Sequence, residues 1–185
     1  MADVRFSVIE TERLLLRKFA ESDAEAFIKY RTDPRVARYQ GDIWVNYTLE
    51  QAAEFVKEQM TSEPGIPGNW FQIAVESKSD GRLIGDLAIH TLHPETDQAE
   101  IGFTLDPLYR SKGFGTEAVK NLLGYIFNVL KLRRVIAITD VRNVDSISLL
   151  ERIGMRREGH FIKSSWNKGE YVDEYLYALL REEWA

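Results

Sequence analysis

The segment Leu105-Asp106-Pro107-Leu108-Tyr109-Arg110-Ser111-Lys112-Gly113-Phe114-Gly115-Thr116-Glu117 carries the clearest chemistry in the sequence. An apolar run ends, a polar loop follows, and two glycines open a long amphipathic stretch. The free N–H groups and the dipole at a helix start attract an anion. Glycine lets the backbone approach phosphate oxygens with no Cβ between them. Arg110 and Lys112 add positive charge at the same place. Glycine before a helix also serves as a plain turn and cap, so the basic residues flanking the pair, after a strand, are what favour the anion. The loop is too short for Walker A spacing and lacks the three-glycine dinucleotide fingerprint.

Other clusters are weaker. His90-x-x-His93 with Glu95 and Asp97 has the residue types of a metal site, but on a strand and turn this spacing sends the two histidines to different faces, so no metal is expected. His90 and Trp44 are candidates to face a substrate slot, with Trp70 and Trp166 as further aromatic walls. Aromatic residues serve equally as core or rim. Asp173 and Glu174 point to opposite faces of an expected strand, where one of them meets a cationic ligand or both are solvated. The sequence has no cysteine, which excludes disulfides, thiolate zinc, iron–sulfur clusters and a cysteine nucleophile.

Amphipathic patterns place these residues on elements. Arg13–Phe19 reads as a first strand. Ser22-Asp23-Ala24-Glu25 has capping-box form and opens a helix that ends near Arg31, before Pro34. Thr48-Leu49-Glu50-Gln51 is a second capping box, and Ala52, Phe55, Val56 and Met60 follow on one helical face. The strands Trp70–Glu76, Leu83–Thr91 and Ala99–Leu105 come next, joined by turns at 79–82 and 93–97. Phe114–Leu130 is a strong amphipathic helix, Arg134–Thr139 a strand, and Asp145–Ile153 a helix stopped by Gly154. Met155–Ile162 and Tyr171–Leu180 close the chain as strands, with Tyr171, Tyr175 and Tyr177 expected in the core. The order β-α-α-β-β-β-α-β-α-β-β is that of a mixed α/β fold.

The chain has 185 residues, 44% hydrophobic and 29% charged. One domain spanning 1–185, with a core of about 10–180, is expected. A net charge of -5 and a pI near 5.3 argue against nucleic acid or an anionic membrane as partner and mildly favour cationic ligands. No apolar run is long enough to span a membrane, and the opening residues lack the form of a signal peptide, so a cytoplasmic address is expected. Strand edges near the C-terminus leave a homodimer open.

Arg110-Ser111-Lys112-Gly113-Phe114-Gly115 matches the R/Q-x-x-G-x-G/A signature of the GCN5-related N-acetyltransferases. With Ala99–Leu105 before it, Asn143-Val144-Asp145-Ser146 after it, and Leu150–Gly159 beyond, the chain resembles the RimJ/RimL-type branch of this family over residues 10–180. Glu12-Arg13-Leu14-Leu15-Leu16-Arg17 resembles the branch's first strand. The resemblance implies a mostly antiparallel central sheet of about seven strands flanked by about four helices and splayed at an acyl-CoA slot. It implies acetyl-CoA as cofactor and a primary amine as acceptor: a protein or peptide N-terminus, an aminoglycoside, a polyamine or another small amine. Cofactor contacts carry over to Phe103, Thr104 and Leu105 on the strand, to Arg110, Ser111, Lys112, Gly113, Phe114, Gly115 and Thr116 in the loop, and to Asn143. A bulge in the strand is expected to open the slot.

Transfer requires a neutral amine, so a base must take its proton. Glu100, on the strand entering the slot, is the expected base; a solvent-facing glutamate is the alternative. Many family members place a tyrosine seven residues after the asparagine of the second motif. Here that residue is Leu150. Ser146 is the expected substitute donor to the leaving thiolate, with bound water as the alternative. Direct attack in a ternary complex fits a chain without a cysteine nucleophile. The competing reading is a non-catalytic acyl-CoA-binding module, favoured by Leu150.

Overall fold

A computed structural model describes residues 5–92 and 97–184. The histidine and glutamate expected in a turn at 93 and 95 lie outside these residues. Eight strands form one sheet in the order β1-β2-β3-β4-β5-β6-β8-β7. They are β1 (Ile9–Glu10), β2 (Leu14–Arg17), β3 (Trp70–Ser77), β4 (Arg82–Thr91), β5 (Gln98–Leu105), β6 (Arg134–Asp140), β7 (Arg156–Asn167) and β8 (Glu170–Leu180). Among the described residues, β5 and β6 alone run parallel. The helices are α1 (Ala24–Arg31), α2 (Pro34–Ala37), α3 (Leu49–Thr61), α4 (Phe114–Asn128) and α5 (Val144–Arg152).

Alternation along the strands gives the sheet two buried faces. Phe71, Ile73, Val75, Ala99, Ile101, Val135 and Tyr177 pack on one face beneath α4, whose Val119, Leu122, Leu123 and Ile126 are fully covered. On the other face, Ala74 and Leu83 meet a smaller cluster from α1 and α3, in which Phe27 and Phe55 stack at 5.0 Å. The polar residues of β4 and β5 that face α1 and α3 therefore sit between a helical roof and the sheet.

Several local expectations hold. Thr48 Oγ1 accepts from the N–H of Gln51, and Gln51 Oε1 accepts from the N–H of Thr48, which completes that capping box. Gly154 follows α5 with φ +91°, a conformation that favours glycine. Others are corrected. Ser22 caps nothing: a 3₁₀ turn at Glu21–Asp23 precedes α1, and the Asp23 carboxylate instead accepts from the Ala20 N–H and from Arg17. Pro34 does not only stop α1. It opens α2, since a helix start has no use for the N–H that proline lacks, and Asp33 caps it by accepting from the Arg35 N–H at 2.9 Å. Strand β7 runs past Ile162 to Asn167 through a bulge. Tyr177 is buried as expected, Tyr175 is half-buried, and Tyr171, near the hairpin tip, is exposed.

Candidate acyl-CoA slot and acceptor chamber

Strands β5 and β6 pair only at Gln98↔Arg134, Ala99↔Val135 and Glu100↔Ile136. Both continue, β5 to Leu105 and β6 to Asp140, without pairing further. The parting needs no bulge in β5, contrary to expectation. The β4–β5 register runs unshifted from Gly85↔Leu105 to Thr91↔Ala99, while β6 stays paired with β8 along its whole length. Each strand keeps its outer neighbour, and the gap opens between them. From Ile101 to Leu105, β5 is thus held by β4 alone and turns its other edge to the gap. Gly85 makes this possible: a Cβ there would lie 2.2 Å from the Thr104 carbonyl oxygen.

The gap is part of a cavity of about 1120 Å³. At one end lies the start of α4, whose N-cap Gly113 has φ +84° and supplies no side-chain cap. Ser111 also has positive φ, +59°. Positive φ at both positions just before a helix start suits a turn that gathers backbone N–H groups around an anion. Arg13 clamps the loop from outside: its Nη1 donates to the Lys112 carbonyl at 2.9 Å, its Nε to Glu117 at 2.7 Å, and its guanidinium covers the Phe114 ring. Arg152 reaches the same helix turn from α5, donating to Thr116 Oγ1 at 3.3 Å.

Of the residues expected at the site, Trp44, Glu100, Phe103, Thr104, Leu105, Arg110, Ser111, Gly113, Gly115, Thr116, Asn143 and Ser146 all line this cavity. The side chains of Lys112, Phe114 and His90 do not. Lys112 folds back, its Nζ donating to the Leu108 carbonyl at 3.0 Å, and Phe114 packs against Tyr109. His90 stacks on Trp70, with ring centroids 4.7 Å apart, and its Nδ1 is buried without a hydrogen-bond partner.

Glu100 faces the chamber beneath α1 and α3. Burial pushes its carboxyl above the ordinary range; His90 Nδ1, 3.8 Å away, opposes this, and the charge of Glu174 adds to it. At 3.8 Å the histidine makes an electrostatic contact and no hydrogen bond. Ser146 lies in the first turn of α5, where its N–H donates to Asn143 Oδ1 at 3.3 Å. Asn143 therefore spends its oxygen capping α5. Leu150 is fully buried and forms part of the cavity wall.

Sequence reasoning missed a polar chain in the roof. Arg31 of α1 donates through Nε and Nη2 to Asp86 of β4, both buried. Arg31 Nη1 donates to Gln40 Oε1 at 3.0 Å, and Gln40 Nε2 donates to Thr104 Oγ1 at 2.9 Å, on the free edge of β5. The Trp44 ring lies over the Arg31 guanidinium. The signal was Asp86 itself, a carboxylate inside the apolar run Leu83–Ile89, which demands a buried cation. Arg38–Asp42 then crosses the gap: Tyr39 Oη donates to the Arg142 carbonyl at 3.0 Å, and Asn167 Nδ2 donates to the Arg38 carbonyl at 3.1 Å.

Comparison with known proteins agrees with this geometry. Residues 13–156 match the family described as the acetyltransferase (GNAT) domain. The chain is similar to the uncharacterized N-acetyltransferase YnaD of Bacillus subtilis, with 35% identity over 176 residues, 95% of this chain and 98% of that one. It is similar to the N-acetyltransferase p20 of Bacillus licheniformis, with 33% identity over 175 residues, 95% and 97% of the two chains. A solved GNAT-family acetyltransferase from Bacillus anthracis superposes with a TM-score of 0.85 at 36% identity, covering 96% of this chain and 100% of that one. The chain belongs to the GNAT family and is an N-acetyltransferase.

Proposed function

We propose that this enzyme moves an acetyl group from acetyl-CoA to a primary amine by direct attack, with both substrates bound in the cavity between β5 and β6. The observation that carries the reading is the uncapped start of α4, with Ser111 and Gly113 in positive φ, placed where a strand edge without a strand partner ends. An anionic headgroup fits the first, and an amide-bearing arm fits the second. The backbone of Ser111–Thr116 with Arg110 and Arg152 would hold the pyrophosphate, the Phe103–Leu105 edge the pantetheine arm, and Asn143 Nδ2 a cofactor oxygen. Lys112 and Phe114 contribute their backbone N–H groups.

Acetyl-CoA supplies an acyl carbonyl activated as a thioester. Glu100 takes the proton of the incoming ammonium, and a carboxyl raised above its ordinary range is the stronger base for that task. As the C–N bond forms and the C–S bond breaks, Ser146 Oγ would give its proton to the departing thiolate and regain one from solvent, while Glu100 holds the proton taken from the amine. The roof formed by Arg31, Asp86 and Trp44 covers one side of the chamber. A single acetyltransferase domain of the RimJ/RimL type, in the cytoplasm where acetyl-CoA is made, goes with this reading, and the exposed edge of β7 leaves room for a homodimer.

The test is isothermal titration of acetyl-CoA into the wild type and Gly113→Trp. Binding to the wild type that is lost in the folded variant supports the cradle. Absence of wild-type binding at millimolar cofactor overturns the reading, together with the alternative of a non-catalytic acyl-CoA-binding module. That alternative, for which Leu150 speaks, predicts binding with no amine-dependent release of CoA.

A further inference from the structure

The charges of the cavity wall separate into two ends. Arg110 lies 3.6 Å from Asp145, Arg31 is bound to Asp86, Arg35 to Asp33, and Arg142 embraces Asp140. Beyond these pairs, Arg152 lies at the α4 end. Glu100 and Glu174 lie in the chamber. Alternation puts both on the sheet face opposite Ile101 and Tyr177, Glu100 on β5 and Glu174 on β8, so they approach the chamber from opposite sides of the gap. The charge of Glu174 helps to raise the pKa of Glu100, after burial.

Glu174 is placed by a specific device. Strand β7 pairs Phe161 with Glu174 and Ser165 with Val172, leaving three residues of β7 opposite one of β8. Lys163 takes φ +50° in this bulge. The bulge brings Ser164 Oγ to donate to Glu174 Oε2 at 2.9 Å. A serine hydroxyl orients the carboxylate without neutralising it.

A second, independent feature points the same way. Asn167 is 7% exposed, its Nδ2 is fixed on the Arg38 carbonyl, and its Oδ1 is buried in the cavity wall without a partner. Gln72 Oε1, also in the wall, is likewise buried and unpartnered. The chamber thus offers two carboxylates and, just behind its surface, two acceptor oxygens that lack donors among the described residues, so an occupant rich in donors suits it.

We propose that the acceptor carries at least two ammonium groups, the reacting one at Glu100 and a second at Glu174. A monoamine has one charge, which Glu100 removes as the reaction begins, and it leaves Glu174 with nothing to bind. A diamine fills both positions, and Trp70 and Trp166 give its carbon chain apolar faces to lie against. This inference rests on the acetyltransferase reading above.

The test is a steady-state comparison of putrescine with butylamine, and of both with an uncharged-side-chain peptide amide, followed by CoA release for the wild type, Glu174→Gln and Glu174→Asp. In the wild type, kcat/KM for putrescine exceeds that for butylamine by at least about tenfold, as expected for a charge-assisted hydrogen bond. In Glu174→Gln that advantage disappears through a rise in KM for putrescine, while Glu174→Asp keeps part of it. Titration with acetyl-CoA verifies that each variant is folded. Equal use of both amines by the wild type, a better rate on the peptide amide, or an advantage that survives in Glu174→Gln overturns the proposal. A wild type that binds acetyl-CoA but acetylates neither amine also overturns it. A wild type that does not bind acetyl-CoA overturns the acetyltransferase reading itself.

Discussion

Replacing Gly85 by alanine adds one methyl group at the place where β5 depends on a single neighbour. That carbon would meet the Thr104 carbonyl oxygen at 2.2 Å, the Leu105 Cα at 3.0 Å and the Leu105 Cδ1 at 3.2 Å. Ordinary contact begins at 3.4 Å, so the oxygen must retreat by 3.4 − 2.2 = 1.2 Å. The first two atoms are backbone and cannot rotate away. Strand β4 is fixed by β3 on its far side, whereas β5 from Ile101 to Leu105 has only the gap beyond it, so β5 is the strand that moves. Overpacking and a loosened ladder bond cost about 2–4 kcal/mol. For a chain of this size that lowers Tm by about 5–10 °C. The displaced edge narrows the slot, and a misplacement of this size costs about tenfold or more in acetyl-CoA affinity. The same change at Gly124, inside α4 with nothing within 4 Å of the added carbon, removes a helix-interior glycine and gains about 0.5–1 kcal/mol. Thermal denaturation and isothermal titration read both variants. If Gly85→Ala matches the wild type in both measurements, the view that β5 is positioned by this close approach is wrong.

Glu100→Gln keeps acetyl-CoA binding and loses about a hundredfold in kcat/KM for the amine, as expected for loss of a general base; an effect under threefold counts against Glu100. In the wild type, kcat/KM falls as pH drops through the raised pKa of Glu100, so the acid limb begins above the ordinary carboxylate range, and Glu100→Gln lacks it. Because burial penalises the ionised form, the folded state at pH 7 is the less stable for carrying this charge. Glu100→Gln therefore melts higher than the wild type at pH 7, and the difference vanishes below the unfolded carboxyl's pKa, where both states are protonated. Asp86→Asn leaves Arg31 buried beside an uncharged partner and costs about 3 kcal/mol in urea denaturation, while Arg31→Met with Asp86→Leu recovers most of it. Ser146→Ala lowers kcat with little change in KM if its hydroxyl gives the proton; an unchanged kcat assigns that role to water.

The fold was legible where periodicity and capping agree. The run from Ala118 to Ile126 repeats at helical spacing and buries as one stripe under the sheet, and Thr48 with Gln51 closes a box that two residue types alone announce. Helix α1 ends at Arg31 before Pro34, as expected, and what went unread is that Pro34 also opens α2, since proline stops one helix and starts another with equal ease. The cradle was legible because glycines and cations are adjacent in sequence. Lys112 and Phe114 were assigned by adjacency too, and they turn outward because consecutive residues around a helix start cannot all face one side. For the acceptor chamber, the sequence singled out Glu100, Trp44 and the pair Asp173 and Glu174 separately and did not bring them into one place. Arg31, Gln40, Asp86, Glu100 and Glu174 come from four separate stretches of sequence, and only the order of strands, with β8 between β6 and β7, brings Glu174 to face Glu100. Asp86 also carried a signal, as a charge in an apolar strand, and went unread.

In the proposed function, one cavity binds acetyl-CoA at the start of α4 and delivers its acetyl group to an amine beside Glu100. The most direct measurement is release of CoA from acetyl-CoA as a function of added amine, on wild type and Glu100→Gln samples that bind acetyl-CoA equally. Saturable, amine-dependent release by the wild type is expected, with an N-acetylated amine as the product, and about a hundredfold less by the variant. Release that does not depend on amine, or equal rates from the two proteins, would contradict it.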